Sequence, residues 1–285
     1  MEMVHFIPPS QRRLAMLAAQ ADTAPVLIYG ASGTGKGAIA RWIHQNGPRA
    51  GRPYLNAKQD ISLLTQIPQA QGGTITIPEI GSWPLGEQKI LLDFLTTKSI
   101  SHPENPGLRM LLNVRVIGTT SQTLEGRAQG GLFNPTLLEK LNVFRLEMPP
   151  LFRRTEEFED IVMGIVGEII RELHKEHIRS LDKLAWNSLK SYDWPGNIRE
   201  LRNVLRVAVI SAQGDRIEAT DLPQFGHDRI DFHATREHFE KIYITELLKT
   251  FNWQIDETCR MSRMDKATLL SKMKQYGISS LDQNR

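Results

Sequence analysis

The stretch Val26-Leu27-Ile28-Tyr29-Gly30-Ala31-Ser32-Gly33-Thr34-Gly35-Lys36-Gly37 decides how the rest of the chain is read. Residues 26–29 form an unbroken apolar run ending in glycine, the pattern of a buried strand. Residues 38–44 then place Ile39, Trp42 and Ile43 on one helical face. Between strand and helix, residues 30–36 fit the spacing G-x-x-x-x-G-K. Glycines there let backbone N–H groups turn inward on phosphate oxygens, and Lys36 supplies a point charge to the β and γ oxygens. The expected contacts are Gly30, Ala31, Ser32, Gly33, Thr34, Gly35, Lys36 and Gly37, with ATP or ADP as the ligand. The plain alternative is a glycine-rich turn that happens to end in lysine; a strand and a helix in register weigh against it. One element is off. The Ser or Thr that usually follows the lysine, offering Mg²⁺ a hydroxyl, is Gly37.

Outward from this turn, short apolar runs recur at Thr74–Ile77, after Gly72-Gly73, and at residues 114–119. Helical segments separate them, notably 86–95, whose Ile90, Leu91, Phe94 and Leu95 repeat at three and four. Strands alternating with helices predict an α/β fold with a parallel, helix-covered sheet. From Phe158 the strand signals stop, and residues 159–177, 181–192 and 197–212 read as amphipathic helices. Pro195-Gly196 breaks the second from the third, and Gly214 ends the third. Residues 223–233 have a linker's composition, and 237–251, 257–261 and 266–276 read as three more helices.

The chain of 285 residues, 40% hydrophobic and 24% charged, is that of a soluble globular protein of about two domains. One cysteine, Cys259, excludes an internal disulfide framework and fits a reducing cytoplasm. The opening Met-Glu-Met-Val-His lacks a signal-peptide layout, and no apolar run approaches the ~18 residues of a membrane span. A cytoplasmic protein with no membrane partner is expected. The eight histidines show no metal-ligand spacing, and a net charge of +3 is too small to argue for nucleic acid. Charge has to be read locally.

These segments together resemble the AAA+ domain of sigma-54-dependent activators, the bacterial enhancer-binding proteins. The resemblance is carried by residues 30–36, ARWIHQNGP at 40–48, Gly72-Gly73-Thr74 with Glu79-Ile80-Gly81, residues 114–120 and 141–144, Pro149-Pro150-Leu151, and YDWPGNIREL at 192–201. They run nearly the full chain in family order, and the string at 193–201 is highly specific. The resemblance implies an AAA+ P-loop core with a parallel sheet at 1–150, an all-α lid at 151–225, a linker at 226–232 and a Fis-type helix-turn-helix at 233–285. It also implies that Arg199, matching the family's second sensor, contacts nucleotide. No receiver or sensory domain is expected ahead of Met1.

The departures from the family pattern matter more. Where the family has Asp-Glu, for the Mg²⁺–water shell and the attacking water, this chain has Pro78 and Glu79. Glu79 is the one candidate catalytic residue, and a surface carboxylate at a strand end is its bland alternative. The family's sensor asparagine falls on Ser121, and its two arginine fingers fall on Asn134 and Lys140. An arginine finger contributes roughly 10³-fold or more in rate in related hydrolases, so very slow turnover is expected. Between Asn56 and Gly72 the family carries a long insertion with the Gly-Ala-Phe-Thr-Gly-Ala loop that touches sigma-54. Here only the fifteen residues 57–71 stand there, and none resembles that loop.

Residues 237–277 resemble the Fis-type reader that ends most of these activators. In its last helix Leu269, Leu270 and Met273 are expected to pack inward, leaving Thr268, Ser271, Lys272 and Lys274 free for bases and phosphates. Arg260, Arg263, Lys266, Lys272 and Lys274 against Asp265 alone give a local +4. Arg263 and Lys266 join the expected DNA contacts; a helical bundle with a solvated basic face is the plain alternative. Trp194 and Trp253 are expected in the core, and His174 and His177 at the surface. The chain reads as a sequence-specific regulator of double-stranded DNA that binds ATP or ADP, with Mg²⁺ left open. Hydrolysis is expected to be deficient and action independent of sigma-54. Self-association as a dimer or higher is expected, with RNA polymerase or a paralogous AAA+ regulator as the other partner. A slow ATPase that remodels a partner is the rival, and a structural hub without nucleotide the third reading.

Overall fold

A computed structural model describes residues 6–102, 105, 107–223, 232–262 and 264–278, with backbone alone at 232–239 and 242. Arg263 and residues 224–231, most of the expected linker, lie outside the described residues. Two compact units form, Met1–Glu168 with Asp193–Arg202, and Ile169–Tyr192 with Asn203–Arg285.

The first unit is a five-stranded parallel sheet. Its strands are β1 (Val26–Gly30), β2 (Tyr54–Asn56), β3 (Thr74–Ile77), β6 (Arg115–Thr120) and β7 (Phe144–Met148), in the order β2-β3-β6-β1-β7. β1 and β3 are buried over almost their whole length because helices cover both faces, which is why they read as apolar runs without alternation. Leu27, Tyr29, Ile75, Ile77 and Val116 pack on one face with α3 (Leu63–Gln69), α4 (Leu85–Thr97), α5 (Leu124–Gln129) and α6 (Pro135–Leu141). Val26 and Ile28 point the other way, where α2 (Lys36–Gln45) crosses β1, β3 and β6, and α1 (Pro9–Gln20) leans on α2 and β7. The strand order turns back at β1. A crevice therefore opens at the carboxyl end of β1, where α2 begins, which is the place open α/β sheets use for ligands.

Buried arginines tie the sheet's far edge together. Arg49, 4% exposed, donates to Asp22, to the Gly73 carbonyl at 2.7 Å and to Asn113 Oδ1 at 2.6 Å. Arg115, 1% exposed, donates to the carbonyls of Ala18 and Ala24. A small hairpin, β4 (Ser99–Ser101) with β5 (Arg109–Leu111), follows α4. It carries the stretch 102–108, of which residues 103, 104 and 106 lie outside the described residues.

Helix α7 (Phe158–Leu173) stops four residues short of the expected end, because His174 takes a left-handed φ of 54°. Helices α8 (Lys183–Lys190) and α9 (Asn197–Ser211) follow. Strand signals were expected to cease at Phe158. Instead β8 (Ser180–Leu181) pairs in parallel with β9 (Arg216–Ile217), burying Leu181 and Ile217. Two residues are too few to show a period in the sequence. The last three helices are α10 (Phe232–Thr250), α11 (Ile255–Ser262) and α12 (Lys266–Tyr276), so Phe232, expected in the linker, is helical. They close on a small core of Ile244, Leu248, Leu269 and Ile278, with Trp253 packed beside it. Trp194 is 1% exposed against Phe158, and His174 and His177 are exposed. Among the described residues no helix is long and apolar enough to cross a membrane, and no His, Cys, Asp and Glu group could hold a metal ion.

Candidate nucleotide-binding site

The turn after β1 builds an anion cradle from backbone alone. The N–H groups of Gly33, Gly35, Lys36 and Gly37 meet no acceptor among the described residues, as expected at a helix start left open for a ligand. Inside the loop, Thr34 donates its hydroxyl to the Ala31 carbonyl at 2.9 Å. Lys36 Nζ donates to the carbonyls of Gly30 at 2.7 Å and Ala31 at 3.1 Å, which anchors the ammonium at the centre of the turn. Ser32, Gly33, Gly35, Lys36 and Gly37 line a cavity of about 440 Å³, shared with Glu79 and Arg199. The start of α9 closes one side. Asn197 Nδ2 donates to the Ser32 carbonyl at 2.9 Å, and the Arg199 N–H donates to the Gly33 carbonyl at 3.1 Å. Gly33 has φ +80°, and a Cβ there would stand 2.1 Å from the Gly196 carbonyl oxygen, so only glycine admits this approach.

Glu79 caps a 3-10 turn with a left-handed φ of 44°. Its Oε2 accepts from the Ser121 N–H and hydroxyl, both at 2.7 Å, and its Oε1 lies 3.2 Å from Lys36 Nζ. Burial pushes this carboxyl up, but the Ser121 hydrogen bonds and the Lys36 charge outweigh it and hold the group below the ordinary carboxylate range. Ser121, at the expected sensor position, thus addresses Glu79. Pro78 has no side-chain donor atom, and its carbonyl accepts the Trp83 indole N–H at 2.9 Å. Gly37 leaves open space where a side chain would stand. Mg²⁺ wants oxygen ligands in near-ideal octahedral geometry, and these residues do not fit it.

Asn134 is the N-cap of α6, its Oδ1 accepting from the Leu137 N–H at 3.1 Å, and Lys140 is exposed in the last turn of that helix. Segment 57–71 is a turn followed by helix α3, tied both within itself and to the rest of the core. Buried Gln66 donates to the carbonyls of Lys58 and Ile61 and accepts from the Lys58 N–H, and the Leu63 N–H donates to Glu87 Oε2 at 2.7 Å.

In the carboxy-terminal helices several expectations need correction. Leu269 is fully buried, but Leu270, expected inward, is 46% exposed. The inward seam of α12 is Leu269, Met273 and Tyr276, with Lys272 on its border. Lys272, expected free for DNA, pairs with Glu240 of α10, which also accepts from the Tyr276 hydroxyl at 2.6 Å. Thr268 is exposed, yet its hydroxyl and N–H both serve Asp265, the N-cap of α12, and these bonds hold the Asp265 carboxyl below its usual range. Lys266 donates to Asp256 at 2.7 Å, which raises its affinity for the proton, and Arg260 lies 3.6 Å from Glu257. The local excess of +4 shrinks once these carboxylates are counted. Ser271 and Lys274 are exposed, with no side-chain hydrogen bond or ion pair among the described residues.

Sequence reading missed Phe6, Asn56, Thr76, Thr119, Ile198 and Arg202, which also line the cavity. Arg202 was in reach, one helical turn beyond Arg199; its guanidinium lies 5.9 Å from the Phe6 ring centroid and pairs with Glu168. Phe6 carries no motif, and its place is set by Arg154, which holds the Phe6 carbonyl at 3.0 Å.

Three family models match consecutive parts of the chain: the Sigma-54 interaction domain at 10–151, the AAA+ ATPase lid domain at 153–237, and the bacterial regulatory protein Fis family at 235–276. The chain is 32% identical over 283 residues to the alginate biosynthesis transcriptional regulatory protein AlgB of Pseudomonas syringae pathovar tomato, covering 90% of this chain and 62% of that protein. It is 30% identical over 298 residues to the regulatory protein AtoC of Escherichia coli K12, covering 91% and 64%. The chain thus spans about three fifths of the length of these relatives. Among solved structures, NtrX of Brucella abortus in complex with ADP superposes with a TM-score of 0.66 at 25% identity, over 94% of this chain and 68% of that one. The same protein with ATP gives 0.65 at 26%, over 94% and 67%. With residues 10–151, 153–237 and 235–276 matched in turn, the chain belongs to the family of proteins built on a sigma-54 interaction domain, an AAA+ lid and a Fis-type helix-turn-helix.

Proposed function

We propose that this chain is a sequence-specific, DNA-binding transcriptional regulator whose AAA+ core binds ATP or ADP for shape or assembly and does not turn it over efficiently. The observation that carries this reading is the contrast between an intact phosphate cradle and the positions that would serve hydrolysis. The cradle's open N–H groups and Lys36 are in place, while the positions for a metal ligand and for the two arginines hold Pro78, Gly37, Asn134 and Lys140. The NtrX structures with ADP and with ATP support a nucleotide ligand for this fold. Core, lid and reader are taken as 1–150, 151–225 and 233–285. Double-stranded DNA is the partner of the reader. Self-association, RNA polymerase or a paralogous AAA+ chain completes the assembly, and action does not depend on sigma-54, since segment 57–71 is a turn followed by helix α3.

The test pairs binding with turnover. ADP should bind in the micromolar range and Lys36→Ala should abolish it, while ATP hydrolysis stays at background and sigma-54 holoenzyme forms no open complex. Hydrolysis at the rate of intact family members would overturn the proposal in favour of the rival remodelling ATPase. That second reading rests on Glu79, whose carboxylate still lies 3.2 Å from Lys36.

A further inference from the structure

We infer that the cavity takes its nucleotide as a metal-free anion, and takes the diphosphate in preference to the triphosphate. The inference rests on the nucleotide reading above and adds the ligand's chemical form. In P-loop proteins the chain's own Mg²⁺ ligands are a hydroxyl just after the lysine and an acid at the end of a neighbouring strand. Here the first is Gly37, beside which a Cβ would meet nothing within 4 Å. The second is Pro78, whose one oxygen already accepts the Trp83 indole.

The other side-chain oxygens of the cavity, on Ser32, Asn56, Thr76 and Thr119, are neutral and bring none of the charge of the missing acid. Thr76 gives its hydroxyl proton to Tyr54 at 2.9 Å. Glu79, the only carboxylate lining the cavity among the described residues, has Oε2 filled by two Ser121 donors and Oε1 facing Lys36. Displacing these for a cation would strip Lys36 of its anion and leave Ser121 unpaired. A hydrated Mg²⁺ would then hang on the phosphates alone, with nothing from the protein to reward its capture.

Positive charge in the site comes instead from fixed groups. Lys36 is held inside the turn, Arg199 lies within reach of Ser32 at 3.4 Å, and the start of α2 presents its open N–H groups. These suit an unchelated polyphosphate. A third phosphate is a liability here. Each phosphate that Lys36 contacts lies beside the Glu79 carboxylate, 3.2 Å from that ammonium. A triphosphate therefore brings one more anionic group into that field than a diphosphate does, with no metal to separate like charges. In solution Mg²⁺ chelates nucleotide, and so competes with a site that wants the free anion.

The experiment is calorimetric titration of the full chain with ADP and with ATP, in excess EDTA and in millimolar MgCl₂, with Lys36→Ala in parallel. Expected is an ADP dissociation constant that changes less than about threefold between the two buffers, and ATP weaker than ADP in both. Mg²⁺ should weaken ATP binding, because it withdraws the free anion. The double variant Gly37→Thr with Pro78→Asp should gain about tenfold affinity on adding Mg²⁺, because it restores both missing ligands. Wild-type affinity that rises about tenfold or more with Mg²⁺ would overturn the inference while leaving nucleotide binding intact. ATP binding as tight as ADP in EDTA would overturn the diphosphate preference. Silence toward both nucleotides in both buffers, with Lys36→Ala indistinguishable, would overturn the nucleotide reading itself and this inference with it.

Discussion

Replacing Gly33 by alanine tests whether the cradle and the turn above it are one structural unit. Gly33 has φ +80°, and an L residue in that region costs roughly 1–2 kcal/mol. The new Cβ would lie 2.1 Å from the Gly196 carbonyl oxygen and 3.0 Å from its carbon. Both are backbone atoms, so no rotamer change relieves the clash. The turn at Gly196 must withdraw by roughly 1 Å or more to reach ordinary contact. Withdrawal strains the Arg199 N–H bond to Gly33, at 3.1 Å, and the Asn197 bond to Ser32, at 2.9 Å. Each contributes about 1 kcal/mol, so the substitution should cost roughly 3–4 kcal/mol in all. For a chain of this size that is a fall in Tm of about 6–16 °C. Gly37→Ala is the control, since its Cβ meets nothing and alanine suits a helical position better than glycine by roughly 0.5–1 kcal/mol. Thermal unfolding with and without ADP reads both effects. Wild type and Gly37→Ala should gain about 2.7 kcal/mol from ADP at a hundredfold excess over Kd, and Gly33→Ala much less. If Gly33→Ala melts within about a degree of Gly37→Ala and keeps the same ADP protection, the coupling of cradle to lid turn is wrong.

Two further predictions separate roles within α12. Lys274→Ala should lower the salt slope of DNA binding by about one without touching stability, whereas Lys272→Ala should destabilise the fold by roughly 1–2 kcal/mol, because it breaks the half-buried ion pair with Glu240. A salt titration beside a chemical unfolding curve checks both, and equal behaviour of the two lysines would contradict the ion pair. Leu270→Ala should leave unfolding unchanged and cost roughly 1–3 kcal/mol on the true site through one lost apolar base contact, while buried Leu269→Ala should cost about 2–5 kcal/mol of stability. Binding curves on single-base variants of the site decide the first half, and denaturant midpoints the second.

The elements that sequence reading found are those whose burial leaves a signature. β1 and β3 are covered on both faces and read as continuous apolar runs; α4 and α9 are long enough to show a period. Helix α1 shows why others escaped. Its buried face is Ala15, Ala18 and Ala19, while Met16 and Leu17 are about half exposed, so its apolar residues point away from the stripe that packs. Strands of two or three residues, such as β2, β4 and β8, exist through their pairing and have no pattern of their own. In α12 the adjacent leucines 269 and 270 sit about 100° apart on a helix and cannot share one inward face. Choosing Leu269 turns Lys272 to the seam and Leu270 to solvent. Counting charge along the chain could not find Glu240, which reaches Lys272 from thirty-two residues away.

At the nucleotide site, what the chain keeps and what it lacks divide along packing. Gly33 receives the Gly196 carbonyl, and Thr34 and Lys36 bond the loop's own carbonyls, so the cradle is part of how the lid turn is seated. Removing any of these costs folding energy as well as ligand. The positions that depart from the family's chemistry carry no such debt. Asparagine at 134 ends up as an N-cap for α6 ahead of Pro135, a role that Asn fills by about 1 kcal/mol better than a residue without a short polar side chain. Proline at 78 closes β3 at its end, where no ladder N–H is needed, and still offers its carbonyl to Trp83. Gly37 disturbs nothing around it. Even Glu79, the surviving acid, is held by Ser121 and Lys36 as a structural tie between the ends of β3 and β6 and the cradle. A site held together this way keeps the shape of a phosphate cradle, while Gly37, Pro78 and Asn134 stand where they cost the fold little. Under the proposed function binding and turnover come apart, because backbone and packing secure the first, while the second would need side chains that positions 37, 78, 134 and 140 do not supply.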